Sequence, residues 1–140
     1  MRPLLDLDQP EQLWTVPLKP GDDAAARRVL RIGSRKFDTR PTIVKLVGEV
    51  DMLTAPLLAE RLDEHLHEDA RQVVVELTGV TFLSASGLSV LLAADRCART
   101  RGVEFSLAGC DGIVRRVFEA AGLENRFDFI DSRQALAGQD

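Results

Sequence analysis

The hydroxyls of Ser84 and Ser86 lie between an apolar strand pattern at Val73–Leu77 and a strongly apolar helix pattern. A hydroxyl at a helix N-terminus lies beside unpaired backbone N–H groups and the positive end of the helix dipole. Such a position tolerates added negative charge, phosphate included. A covalent charge switch could therefore be placed at this position at low energetic cost.

The same serines do not predict a hydrolase. In the nucleophile motif Gly-x-Ser-x-Gly around Ser86, the first glycine is replaced by Ser84, and both histidines precede the serine instead of following it. His65 and His67 are two residues apart on a predicted helix, so they point to different sides and cannot share a metal ion. We expect both at the surface. Since no phosphate-binding or dinucleotide glycine motif is present, we predict no enzyme activity, no metal and no cofactor.

The amino-acid composition excludes further classes of protein. The 140 residues are 45% hydrophobic and 29% charged, with a formal net charge of −4. That balance is typical of one globular domain and argues against a nucleic-acid binder, which usually carries excess positive charge. No apolar segment reaches the length of a membrane span, and the N-terminus lacks the apolar core of a signal peptide. The sequence predicts a cytoplasmic protein that does not bind membranes.

Residues 1–28 are predicted to form a loosely ordered N-terminal arm, and residues 29–140 the folded domain. Met1–Asp23 holds four of the six prolines, with no sustained hydrophobic period. Trp14 lies in this arm, either against the domain surface or as an anchor for a partner.

The regular elements alternate along the chain. Strand patterns occur at Val29–Ile32, Ile43–Val47, Val73–Leu77, Val103–Leu107 and Phe127–Ile130. Helix patterns begin after Thr54, near Ser86, after Asp111 and at Asp131 or Ser132, the last running to Ala137. Thr54 and Asp111 can cap the helices that follow them, a turn is expected after Leu77, and Gly102 is expected to end the second helix. The order β-β-α-β-α-β-α-β-α predicts an α/β fold with a mixed, mostly parallel sheet of about five strands and covering helices. The first hairpin supplies an antiparallel edge.

Several segments together resemble a STAS domain, and most closely the stand-alone bacterial anti-sigma factor antagonists. The resemblance covers roughly Val29 to Gly138. Its segments are Gly48–Asp51, Thr54–Leu57, Val73–Leu77, Phe82–Leu88, Val114–Phe118 and Ala121–Leu123.

This resemblance implies a non-enzymatic interaction module with the STAS fold. In the family, the unmodified antagonist binds a kinase-like anti-sigma factor and thereby frees the sigma factor. The kinase then phosphorylates the antagonist on a hydroxyl at the N-terminus of the second helix, and a phosphatase resets the cycle. The added charge of about −1.5 to −2 opposes docking without any large refolding.

The sequence departs from the family pattern at the modified position. The familiar order is Asp-Ser-Ser/Thr-Gly, with the first serine phosphorylated, and here Ser84, Ala85 and Ser86 take the first three places. Because alanine cannot be phosphorylated, the phosphoacceptor candidates are Ser86, which we prefer, and Ser84. The alternative is that both hydroxyls only cap the helix.

The resemblance also implies a partner surface around the loop after the second strand. Asp51 matches an acidic residue of the family there, although it could instead cap the first helix. Arg115 and Arg116 are expected to be ordinary surface charges. The predicted partner-binding residues are Asp51, Thr81, Ser84, Ala85, Ser86 and Ser89.

A competing function stays open at this stage. A scaffold or sensory STAS protein would bind sister STAS domains or a small ligand without being phosphorylated, which Ala85 favours. Cys97 and Cys110 likewise allow two interpretations, an oxidation-dependent disulfide pair if their Cα atoms lie within about 7 Å, or two inert thiols.

Overall fold

The computed structural model describes residues 29–35 and 41–132. The predicted N-terminal arm, Trp14 and most of the predicted last helix lie outside these residues. The strands are β1 (Leu30–Arg35), β2 (Thr42–Val50), β3 (Gln72–Leu83), β4 (Glu104–Ala108) and β5 (Asp128–Ile130). The helices are α1 (Ala55–His67), α2 (Ala85–Arg101) and α3 (Gly112–Ala120).

The five strands form one sheet in the order β1-β2-β3-β4-β5. β1 pairs with β2 in antiparallel fashion, while β2, β3, β4 and β5 pair in parallel. This confirms the predicted α/β class and the antiparallel edge. Val73, Val74 and Val75 in the central strand are fully buried, as expected of a strand covered on both faces.

β3 is longer than the sequence predicts. The turn expected after Leu77 is wrong, because the strand continues to Leu83. Its second half pairs with the end of β2, with Val47 opposite Gly79 and Val50 opposite Leu83, across two register shifts. These irregularities let a glycine-containing segment continue as a strand instead of turning.

The helices pack through apolar stripes that the sequence predicts. α1 buries Leu58, Leu62 and Leu66 at 1% exposure or less and packs against α2. α3 packs on β3, and its Phe118 ring makes edge contacts with the rings of Phe127 and Phe129 at centroid distances of 5.6 and 5.3 Å. Among the described residues, no helix is both long and apolar enough to cross a bilayer.

Two predicted helix caps are wrong in detail. Thr54 and Asp111 occupy the cap positions of α1 and α3, yet neither side chain makes a capping hydrogen bond. The Thr54 hydroxyl is fully buried and donates instead to the Glu49 carbonyl at 2.9 Å. Gly102 ends α2 as predicted, with a left-handed φ of 71°.

Candidate partner-binding site

The carboxyl ends of β2 and β3 bring the predicted site residues together. Val50 and Leu83 are register partners in the parallel pair, and the Ser84 N–H donates to the Val50 carbonyl at 2.8 Å. The loop that begins at Asp51 and the turn at Ser84–Ser86 therefore lie side by side. We call this region the strand-end junction: the loop Asp51–Thr54 and the segment Thr81–Ser86.

Ser84 and Ser86 have different surroundings within the junction. α2 begins at Ala85, one residue earlier than predicted, and Ser84 is its N-cap. The Ser84 hydroxyl accepts from the Gly87 N–H at 3.3 Å, so it performs the capping role that the sequence allowed. The half-buried Ser86 lies in the first helical turn, and its hydroxyl makes no hydrogen bond to another described residue. Ala85 between them is exposed.

The Asp51 side chain organises the neighbouring loop. Its Oδ1 accepts from the N–H groups of Leu53 at 2.9 Å and Thr54 at 3.0 Å. In return the Asp51 N–H donates to the Thr54 hydroxyl at 2.9 Å. Both N–H groups precede α1, which begins at Ala55, so the Asp51 carboxylate stabilises the loop that leads into the helix and does not cap the helix itself. The Asp51 side chain is half-buried.

Three exposed apolar side chains belong to the junction, and the sequence pattern does not predict their exposure. Met52 is 80% exposed, and Leu53 and Phe82 are each 47% exposed. We call these three residues the apolar rim. Large exposed side chains grouped at one end of a sheet are typical of an interaction surface. The sequence feature that could have indicated these exposed side chains is the apolar pair Met52 and Leu53, which lies in a segment that belongs to no strand or helix.

The remaining predicted site residues are distributed as follows. Thr81 is exposed in the junction and Ser89 is exposed on α2, while Arg115 and Arg116 are exposed on α3. His65 is not a surface residue, because packing against its surroundings leaves its side chain only 12% exposed, whereas that of His67 is 49% exposed.

The two cysteines are free thiols that line different pockets. Cys97 faces a groove of about 520 Å³ between α1 and α2, whereas Cys110 faces a pocket lined by Arg115, Phe118 and Phe129. Burial raises the pKa of Cys110 to about 11, against a smaller opposite effect of Arg115. Because the thiolate is the reactive form, this environment favours an inert thiol.

These features define the class of protein before any relative is considered. Cap hydroxyls, a carboxylate and exposed apolar side chains lie together at one end of a mostly parallel sheet. The family model described as STAS domain matches residues 34–136. The chain therefore belongs to the STAS domain family.

Individual relatives are anti-sigma factor antagonists, which are regulatory binding proteins. The anti-sigma-B factor antagonist of Listeria monocytogenes is 29% identical over 96 residues, covering 69% of this chain and 84% of the relative. The crystal structure of an anti-sigma factor antagonist from Mycobacterium paratuberculosis has a TM-score of 0.67 at 25% identity, covering 79% of this chain and 95% of that one. SpoIIAA, the Bacillus cell fate determinant, in its phosphorylated form shares the fold with a TM-score of 0.60 at 16% identity, covering 76% and 96%.

Proposed function

We propose that this protein is an anti-sigma factor antagonist of the cytoplasm that docks a kinase-like anti-sigma factor onto the strand-end junction. The observation that carries this proposal is the hydrogen bond from the Ser84 N–H to the Val50 carbonyl at 2.8 Å. It holds the Asp51 loop and the serine turn as one surface, and the apolar rim lies on that surface. Release of the sigma factor follows when the antagonist occupies the anti-sigma factor.

The apolar rim supplies the docking energy in this proposal. Aromatic and methionine side chains are enriched in the cores of protein interfaces, and a few of them usually carry most of the affinity. Phe82 and Met52 are the two candidates here, because both present large side chains to solvent. Asp51, Thr81 and Ser89 supply the polar border of the same surface.

Phosphorylation of Ser86 is the proposed off-switch. The Ser86 oxygen would attack the γ-phosphorus of ATP held by the anti-sigma kinase, the bond to ADP would break, and the hydroxyl proton would pass to a base of the kinase. Ser86 is preferred over Ser84 because the Ser84 oxygen already accepts from the Gly87 N–H. Phosphate at the first turn of α2 is tolerated by the helix but places charge beside the apolar rim, which opposes docking. A phosphatase would restore the binding form.

A binding experiment tests the docking surface. We expect the purified chain to bind its anti-sigma factor, and Phe82→Ser and Met52→Ser each to weaken binding about tenfold or more. Ile113→Ser is the matched control, since Ile113 is also a large exposed apolar residue (57%) but lies on α3. Equal affinity of all three variants would reject this surface. Recovery of only sister STAS chains or a bound metabolite from the native cytoplasm would favour the scaffold or sensory alternative.

A phosphorylation experiment tests the switch separately. Incubation with the cognate kinase and ATP should label wild-type protein and Ser84→Ala, but not Ser86→Ala, as mapped by mass spectrometry. The Ser84→Ala control keeps the Ser86 hydroxyl and loses only the cap. Phosphate on Ser84 alone would identify Ser84 as the phosphoacceptor. Absence of phosphate on both serines would reject the phosphorylation switch without affecting the conclusion about the docking surface.

A further inference from the structure

Three side chains with metal-binding atoms converge where α1 meets α2. Among the residues that the structure describes, Asp63, His67 and Cys97 each offer one ligand atom, and these atoms all lie within 4.8 Å of one another. Asp63 and Cys97 also line the groove between the two helices, so the group is open to solvent. The group is distinct from the strand-end junction.

The two α1 residues are arranged by helical geometry. Asp63 and His67 are four residues apart and therefore share one face of the helix. The His67 Nδ1 lies 2.8 Å from the Asp63 carbonyl oxygen and 3.2 Å from the Asp63 carboxylate. When Nδ1 carries the proton and donates to that carbonyl, the neutral ring presents its lone pair on Nε2. A backbone hydrogen bond of this kind commonly orients a histidine for metal binding.

Cys97 supplies the third donor from the facing helix. It lies on α2, and α1 and α2 pack directly against each other. Its thiol is free and half-buried at the groove. The sequence does not reveal this group, because Cys97 comes beside Asp63 and His67 only through a tertiary contact.

We propose that Asp63, His67 and Cys97 bind a divalent cation of the zinc class. A thiolate, an imidazole and a carboxylate are the usual donors for Zn²⁺, and three protein ligands leave the fourth tetrahedral position to water. Binding releases the thiol proton of Cys97 to solvent. Tetrahedral Zn²⁺ requires its ligand atoms to be about 3.5 Å apart, a closure that side-chain rotation provides. The Asp63 side chain is 69% exposed, so it has room to make that rotation while the His67 ring keeps its hydrogen bond to the Asp63 carbonyl.

The bound ion would connect α1 to α2 without blocking the proposed partner surface. Cys97 follows Ser89 by eight residues, which is about 12 Å along a helix. The cation site and anti-sigma binding are therefore separable properties, and either one stands if the other fails. A ligand that binds the folded state alone also raises the melting temperature.

Titration of the full chain with ZnCl₂ under a non-thiol reductant tests the site. We expect one equivalent to bind by calorimetry, and Cys97→Ser and His67→Gln each to lower the affinity at least about tenfold. Cobalt(II) should give a thiolate charge-transfer band with wild-type protein and none with Cys97→Ser. Cys110→Ser and His65→Gln are the matched controls and should bind as wild type does.

The variants must be folded for these comparisons to be valid. Because His67 is half exposed, His67→Gln keeps the fold, and circular dichroism verifies this. At the same concentration, Zn²⁺ should raise the melting temperature of wild type clearly more than that of His67→Gln. No saturable binding by wild type, or undiminished binding by Cys97→Ser and His67→Gln, would overturn the site.

Discussion

Gly87 packs directly against Val50: a Cβ at position 87 would lie 2.7 Å from Cγ1 of Val50. Real side chains do not approach so closely, so only glycine lets the first turn of α2 lie this near the end of β2. The contact complements the hydrogen bond from the Ser84 N–H to the Val50 carbonyl. Together they fix the serine turn relative to the Asp51 loop.

Replacing Gly87 by alanine should therefore destabilise the fold. Overpacking costs about 1 to 3 kcal/mol, and the better helix propensity of alanine returns about 1 kcal/mol, so we expect a net loss of about 1 kcal/mol. Urea denaturation measures the free energy of unfolding. The new Cβ would also lie 2.7 Å from Cδ1 of Leu83, so Val50→Ala removes one of two close contacts, and Gly87→Ala should cost less in that background without becoming stabilising. Equal losses in both backgrounds would show that the two residues do not interact.

Gly109 is constrained by both its backbone and its neighbours. Its φ is 70°, and a Cβ there would collide with the Thr78 hydroxyl and the Glu76 carboxylate. Glu76 is 8% exposed and accepts from the Thr78 N–H at 2.8 Å and from the Ser132 hydroxyl at 2.7 Å. Any shift of that carboxylate weakens a buried hydrogen-bond network.

A pair of glycine variants separates the two constraints. Gly102 has a φ of 71° and nothing within 4 Å of its Cβ position, so Gly102→Ala should cost only the left-handed backbone penalty of about 1 kcal/mol. Gly109→Ala should cost about 3 kcal/mol, because the collision is added to the same penalty. Melting temperature and urea midpoint would both report the difference. Equal losses of folding free energy in the two variants would mean that the Glu76 hydrogen-bond network rearranges around the new Cβ at no cost.

Asp51 has a structural role that can be measured apart from partner binding. Asp51→Ala removes the acceptor of the Leu53 and Thr54 N–H groups and should cost about 1 kcal/mol of folding free energy. Asp51→Asn keeps an oxygen there and should stay within about 0.5 kcal/mol of wild type. Asp111→Ala is the control, since the side chain of Asp111 makes no capping hydrogen bond. If the Asp51→Asn protein is stable but binds the anti-sigma factor weakly, the negative charge of Asp51 contributes to partner binding. If binding is unchanged, Asp51 only stabilises the loop.

The order of strands and helices was predictable because apolar periodicity is a local property of the sequence. The prediction failed where pairing with a distant strand determines the local structure. Thr78 and Gly79 look like a turn, yet Gly79 pairs with Val47 of a distant strand and keeps β3 extended. Thr54 looked like a helix cap, but its hydroxyl donates to the Glu49 carbonyl, and its N–H donates to the Asp51 carboxylate. The serine turn was predictable from its position between two strong patterns. The apolar rim was not, because exposure depends on what the rest of the fold covers.

Asp95 is a buried carboxylate whose two arginine partners should contribute unequally. It is 4% exposed and lies 2.6 Å from the Arg126 guanidinium and 3.0 Å from that of Arg99. The Arg99 side chain is 66% exposed, so Arg99→Gln should cost no more than about 0.5 kcal/mol. Arg126 is 31% exposed and connects α2 to the segment before β5, so Arg126→Gln should cost about 1.5 kcal/mol. Denaturant unfolding at low and high salt ranks the two variants, and a larger loss for Arg99→Gln would contradict the order.

The Cys110 thiol should resist alkylation at moderately alkaline pH. Burial raises its pKa from 9.0 to about 11, so the thiolate fraction at pH 8 is about a hundredfold lower than in an unperturbed thiol. In the Cys97→Ser background, where Cys110 is the remaining cysteine, iodoacetamide should react slowly at pH 8 and faster as the pH rises toward 11. Mass spectrometry follows the reaction, and urea-unfolded protein gives the reference rate. Reaction of folded and unfolded protein at the same rate would show that burial does not shield Cys110.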